Sequence, residues 1–389
     1  PVRVEFWSPF TGPDGAAIDG LVRQFNETAG RAANTNVDIL VIPWDQYYTK
    51  LSVAMASRRG PALAIVHAHR IAAFARQGAL EVLTPAETSD LGLDAADYIP
   101  ALFQAGLFNN RRYGVPIDAF PRHIYTNRAL FRQAGLDPER PPQTLQDLQE
   151  AARRITALGQ GTFGVYFRLS GAPAMRDFYS AYWQFNPELL GADGRDVAPG
   201  FEEAAVQALD IFRGFLQAGV AVPTDVVQYD RMFAQNRIGI AFSQITDLAQ
   251  FQATPDLDFG VAPFPQFGPR RATFALGHNF VVLRGTAEAP RRAGLGFAKW
   301  ISENGIAWAR TGKIPARLSV MRSADFRALS AQSAVAIPDM IRFPPSIVQQ
   351  PEVDRVVQEA VEAFHAGRTN SREAAAAMAA GIRRELGRR

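Results

Sequence analysis

The chain has 389 residues and a mass of 42.6 kDa, past the roughly 250–300 residues at which single hydrophobic cores stop growing, so two domains are expected. Its 47% hydrophobic and 20% charged residues, with 27 Phe, 9 Tyr and 5 Trp spread without long bias, exclude the disordered and fibrous classes. The 41 basic and 38 acidic residues leave a net charge of +3, and zero cysteines exclude disulfides, thiolate metal sites and a cysteine nucleophile.

Among the basic residues only Lys50, Lys299 and Lys313 are lysines, and the arginines are dispersed, with the densest group at Arg383, Arg384, Arg388 and Arg389. That is not the basic stripe of a nucleic-acid surface, so no nucleic-acid partner is expected. No apolar run approaches the roughly 18 residues of a membrane span. The chain opens at Pro1 and runs straight into a strand pattern, which reads as a trimmed mature form.

Val2, Val4 and Phe6 alternate with Arg3 and Glu5, a strand pattern; Ile18, Leu21, Val22 and Phe25 then share one helical face. Val37–Ile42 reads as a second strand, Asp45–Ser57 as a helix, and Leu63–Val66 as a third strand followed by a helix ending before Gly78. This βαβαβα order predicts a mostly parallel sheet covered by helices on both faces, with ligands beyond the carboxyl ends of the strands, in the loops after Phe6, Ile42 and Val66. Tyr113–Asp118 is an extended segment marked by Gly and Pro, read as an interdomain crossing, with a new helix near Asn127. Thr144 caps a helix carrying Leu145, Leu148, Ala152, Ile155 and Leu158, with Asp147 in the capping-box position. Strands are expected at Phe163–Phe167, Ile238–Phe242, Phe259–Ala262 and Asn279–Leu283, with a helix bearing Ala205, Leu209, Phe212 and Leu216 among them. A single helix is expected over Pro290–Arg310, and two more close the chain around Val353–Phe364 and Met378–Leu386.

Catalytic signatures are scarce. There is no metalloprotease helix motif, nucleophile elbow or phosphate-binding loop. Gly159-Gln160-Gly161-Thr162-Phe163-Gly164 matches the dinucleotide pattern, but it follows a helix and precedes a strand, the reverse of the context that pattern needs, so it reads as a helix cap and turn and no cofactor is expected. Asn26-Glu27-Thr28 is a glycosylation tripeptide inside a predicted helix. Of the five histidines, His67, His69, His123 and His278 fall near strand ends or the crossing; ligand or interdomain hydrogen bonding is expected of them rather than metal ligation, and His365 is expected on a solvated helix face. Trp7 and Phe10 follow the first strand, Trp44, Tyr47 and Tyr48 the second, and Tyr179, Tyr182 and Trp183 lie in the second half. Rings at strand exits suit the C–H face of a sugar, and Asp14, Gln46, Asp118, Gln244, Asn279 and Arg317 are placed to bind hydroxyls.

These stretches resemble the extracellular solute-binding proteins of carbohydrate ABC importers, the family that includes maltose-binding protein. The resemblance is carried by Val4-Glu5-Phe6-Trp7-Ser8, Tyr48-Thr49-Lys50-Leu51, Gln77–Leu83, Tyr113-Gly114-Val115-Pro116 and Gly312–Arg317. Its most specific stretch is Ile124–Asp137 with Pro141–Leu148.

The resemblance implies an α/β fold of two lobes, a Venus flytrap, with a ligand closed between them by hinge motion. The three crossings would lie near Tyr113–Asp118, Phe274–Asn279 and Lys313–Leu318. The lobes would comprise residues 1–115 with 278–316, and 116–277 with 317–389. The ligand-binding residues expected are Trp7, Phe10, Trp44, His67, His69, Asp118, Trp183, Ser243, Gln244, Gly277, His278, Asn279 and Arg317.

The function implied is non-enzymatic: capture of a carbohydrate or polyol by a monomer and its delivery to membrane permease subunits, in the periplasm or outside the cell, with a lipid anchor as one form of placement. Where the family often has an acid at the third strand's exit and Trp at the second crossing, this chain has His67 and His278. Imidazole removes a bidentate acceptor, so a uronate, sugar phosphate or glycerophosphodiester is an alternative ligand. A glycosidase or lyase using Asp14 and Asp118 is the rival from another class; an adhesin or chemoreceptor partner is a third.

Overall fold

A computed structural model describes residues 1–226 and 228–387; Arg388 and Arg389 of the terminal arginine group lie outside the described residues. Its strands, in chain order, are β1 (Val2–Ser8), β2 (Thr35–Val41), β3 (Leu63–His67), β4 (Leu107–Phe108), β5 (Arg111–Arg112) and β6 (Gly114–Asn127). They continue with β7 (Phe163–Tyr166), β8 (Ile238–Gln244), β9 (Phe259–Pro263), β10 (Thr273–Val282), β11 (Ile314–Pro315) and β12 (Ile341–Arg342). The chain divides into two compact units: Pro1–Phe120 with Leu276–Ser333 and Ser346–Val348, and Pro121–Ala275 with Ala334–Pro345 and Gln349–Arg389. The boundaries at Phe120 and Ala275 fall inside β6 and β10, so both strands contribute to both units.

In the first unit β2, β1 and β3 are parallel, as the alternation of strand and helix requires, and β10 then pairs antiparallel with β3. The helix Gly12–Glu27 buries Ile18, Leu21, Val22 and Phe25, the four positions its periodicity picks out. Phe25 meets Phe297 at 5.0 Å between ring centroids, and Phe6 meets Phe280 and Phe297 at 5.6 Å each, an aromatic core between sheet and helix. The expected helix Pro290–Arg310 is two helices, Glu288–Glu303 and Gly305–Ala309. Asn304 and Gly305 are poor helix formers, and the Asn304 amide donates to the Trp300 carbonyl at 2.8 Å, closing the first helix there. The break gives Trp308 a new direction.

In the second unit β6 pairs antiparallel with β8 on one side and β9 on the other, and β7 runs parallel to β8. Thr144 and Asp147 form a reciprocal capping box at the helix Leu145–Thr156. The Gly-rich segment after that helix is a turn: Gly159 and Gly161 have φ of 75° and 73°. Gly164 is there for packing, since a Cβ on it would stand 2.1 Å from the Ala152 carbonyl oxygen of the helix it crosses. The helices Phe201–Gln217, Gln350–His365 and Ser371–Gly387 pack against one another, and the first two also against the helix Gly171–Phe185, with Phe212, Val357, Phe364, Met378 and Ile382 buried.

Candidate functional site

The first unit gathers aromatic and imidazole rings at the exits of its central strands. His67 ends β3, and the antiparallel register sets it directly opposite His278 of β10, on the same face of the sheet, with ring centroids 4.9 Å apart. Trp44 is the first residue of the helix Trp44–Ser57 and stays half-buried; its indole stacks on His67 at 4.4 Å and 28° and lies nearly parallel to His278 at 5.8 Å. Tyr48 falls four residues after Trp44, hence on the same helical face. Its hydroxyl accepts from the His67 backbone N–H at 3.0 Å and lies 2.6 Å from His67 Nδ1, fixing that ring. His69 stacks beyond it at 5.4 Å, Phe10 stands edge-on to His278 at 4.9 Å, and Phe120 stacks on His278 at 5.0 Å.

Beneath the rings lies Asp118, fully buried in β6. It accepts from the His278 backbone N–H at 2.9 Å, from His278 Nδ1 at 2.9 and 3.0 Å, and from Trp308 Nε1 at 2.6 Å. Burial pushes its carboxyl up, but His278, the Trp308 N–H and Lys313 together outweigh it and hold the group below the ordinary carboxylate range. Trp308 reaches this carboxylate because the helix breaks at Asn304; as part of one long predicted helix it carried no signal of the contact. Phe120 went unmarked for the same kind of reason, since it reads as one more apolar residue of a crossing strand.

The other expected residues are placed differently. Gly277 and Asn279 neighbour His278 on β10, so their faces are opposite to its own. The Asn279 amide is fully buried with neither polar atom partnered, against Gly114, where a Cβ would stand 2.6 Å from its Oδ1. Trp7 donates to Glu5 at 2.7 Å. Arg317 spends its guanidinium on Ser302 (2.7 Å), Asp97 (3.2 Å) and the Leu91 carbonyl (2.9 Å), a brace within the first unit. In the second unit, Trp183 is 2% exposed and stacked with Tyr179 and Phe274 in that unit's core. Ser243 joins Tyr229 and Asp247 in a hydrogen-bonded group, with Tyr166 stacked on Tyr229 at 4.8 Å. The Gln244 Oε1 accepts from Arg176 at 2.9 Å.

Neither carboxylate weighed for acid–base chemistry is free: Asp14 is ion-paired to the buried Lys313 at 2.8 Å and Asp118 is saturated as above. No group of three His, Cys, Asp or Glu side chains suited to a metal ion occurs among the described residues. His365 corrects an expectation. Rather than facing solvent, it is half-buried, with ring contacts to Phe364, Phe167 and Phe212, and burial beside Arg213 pushes it down to about 4. Burial likewise pushes His123 down to about 3.

Both histidines are neutral in the fold and protonate near 6.5 when unfolded, so unfolding takes up protons below that pH and stability falls as pH drops. Each contributes about 1.4 kcal/mol per pH unit across its window. Urea unfolding at pH 7, 6 and 5 is expected to show this loss before the carboxylates titrate. In His365→Phe the slope is expected to drop by about one proton's worth, and an unchanged slope would refute the assignment.

The chain belongs to the bacterial extracellular solute-binding protein family, whose model matches residues 11–307. It is similar to a putative binding protein of Brucella abortus (strain 2308), 26% identical over 347 residues that cover 84% of this chain and 80% of the relative. Its fold matches a cyclic alpha-maltosyl-1,6-maltose binding protein from Arthrobacter globiformis with a TM-score of 0.83 at 23% identity, covering 99% of each chain. It also matches UgpB from Mycobacterium tuberculosis in complex with glycerophosphocholine, with a TM-score of 0.83 at 22% identity, covering 100% of this chain and 99% of the other. The protein is a solute-binding protein and not an enzyme, and the glycosidase or lyase alternative finds no counterpart among these relatives. Its family acts outside the cytoplasm, in the periplasm or beyond the cell; no helix of the described residues is long and apolar enough to cross a membrane.

Proposed function

We propose that this protein captures a polyhydroxylated solute, a sugar or sugar-like polyol, at the ring group of the first unit and delivers it to the permease subunits of an ABC importer. The observation that carries this reading is the half-buried Trp44 indole stacked on His67, whose orientation Tyr48 fixes at 2.6 Å. A flat ring held in place offers an apolar face for sugar C–H groups without ordering cost at binding, and the imidazoles beside it supply donors and acceptors for hydroxyls. The relatives fit this class: one is named for a cyclic maltosyl-maltose, and another was solved with glycerophosphocholine.

The test is thermal unfolding of protein stripped of co-purified solute, across a panel of mono- and oligosaccharides and polyols. A solute at 1,000 times its Kd adds about 4 kcal/mol to the folded state, enough to raise the midpoint by a few degrees. Trp44→Ala is expected to weaken the solute that responds by about tenfold or more while costing the unliganded fold little, because the ring is only partly buried. Undiminished affinity in that variant would overturn the site, and no shift with any member of the panel would overturn the solute class.

A further inference from the structure

We infer that the first unit carries a second binding site, a groove in which Arg112 holds the carboxylate or phosphate head of an organic anion with an apolar body. This goes beyond the solute reading and does not rest on it. The groove lies wholly within the first unit, at the other end of β10 from the ring group. Glu81, next to the groove-lining Val82, donates its backbone N–H to the Val282 carbonyl at 2.9 Å. Val282 follows His278 by four residues, about 13 Å along the strand.

The groove has a volume of about 800 Å³ and is walled by Val82, Leu83, Leu93, Phe103 and Leu107. That is room for a small organic molecule, against a largely apolar wall. Its charged side chains are Asp94, Arg111 and Arg112. The Asp94 Oδ1 accepts from the Ala96 N–H at 2.9 Å, capping its own turn. Two cations against one carboxylate leave the groove positive.

Arg112 ends β5 and is 6% exposed. Its guanidinium carbon stands 3.9 Å from the centroid of the Phe103 ring, and its Nη1 donates to the Phe103 carbonyl at 2.7 Å, the one hydrogen bond of this side chain among the described residues. Gly106 makes room for it, since a Cβ there would stand 2.4 Å from Nη1. One face and one corner of the fork are thus fixed, and the other donors have no acceptor in the protein. Burial pushes the Arg112 guanidinium down to about 10; the group that acts against this is not a carboxylate but the Tyr98 phenol, itself raised by burial and so neutral at pH 7. A buried cation is costly unless something neutralises it. An oxyanion on an apolar body supplies the missing charge and covers the apolar wall, and a neutral sugar does neither.

The test is calorimetric titration of the full chain, stripped of solute, with octanoate, octyl phosphate and octanol, each below its micelle-forming concentration. At least one anion is expected to bind about ten- to a hundredfold tighter than octanol, and the one that does identifies the head group. Arg112→Met keeps an apolar stem over Phe103 and removes the charge; it is expected to bring the anion down to the affinity of octanol and to leave octanol as it was. Arg112→Lys, which keeps the charge without the fork, is expected to restore part of the preference. In the wild type, with no variant needed, the affinity for the anion is expected to fall with rising salt. Binding of neither anion, octanol binding as tightly as both, a salt-independent affinity or an undiminished preference in Arg112→Met would each overturn the site. None of these results bears on the sugar and polyol panel, so the two readings fail separately.

Discussion

Asp118→Ala is expected to cost about 3–5 kcal/mol of stability in the stripped protein, measured by chemical unfolding at pH 7. The reason is the number of donors that converge on one fully buried carboxylate: the His278 backbone N–H, the His278 ring and the Trp308 indole, all within 2.6–3.0 Å. Removing the acceptor leaves each of them buried and unmet. Asp118→Asn keeps the shape but turns one acceptor into a donor, so a smaller loss is expected. The pH dependence follows from the depressed carboxyl. Its contribution is present above the unfolded-state pKa of about 3.9 and is lost as pH falls through the lower folded value, so the gap between wild type and Asp118→Asn is expected to shrink below about pH 4. The same change frees the His278 ring, which touches Phe10, Trp44, His67 and Phe120, so solute affinity is expected to fall as well. A variant as stable as wild type at pH 7 would show that Asp118 does not hold this group together.

Arg122→Met is expected to cost about 3–5 kcal/mol, for a different reason. Arg122 and Asp177 are 3% and 2% exposed in the second unit and meet through two parallel hydrogen bonds. Removing the arginine strands a carboxylate that burial already pushes above its ordinary range, against the pull of Arg122 and Arg176. The pair as a whole is worth less than its parts suggest, because each ion paid heavily in lost hydration. The double change Arg122→Met with Asp177→Leu is therefore expected to recover most of the loss, read as the coupling term of a double-mutant cycle. A double variant as unstable as the single one would mean that the pair is needed for more than its own neutrality.

Much of the fold was legible because periodicity and caps are local. The alternation in Val2–Phe6, the helical spacing of Ile18, Leu21, Val22 and Phe25, and the Thr144–Asp147 cap each depend on residues a few positions apart, and the structure has each of them. The turn at Gly159–Gly164 was readable from order alone, since the segment leads from helix to strand. Expectations that depended on what a side chain meets were less secure. His365 looked solvated because it was read onto the exposed face of a C-terminal helix, whereas Phe167 and Phe212, far away in sequence, cover it. Arg317 looked like a ligand contact because the resemblance put it in the third crossing, yet Leu91 and Asp97 take up its donors. Trp183 looked like a sugar platform and is core.

By itself, then, the sequence determined the succession of strands and helices, their caps and the loops at which function sits, because these follow from spacing within one or two turns of chain. Tertiary structure alone decided which residues share a site. The β3–β10 register put His67 opposite His278, 211 residues later, the break at Asn304 aimed Trp308 at Asp118 across 190 residues, and the packing of the second unit buried Arg122 against Asp177, 55 residues later. Contacts of that kind depend on register, on burial and on which charges are already paired, and these exist only once distant segments have packed together.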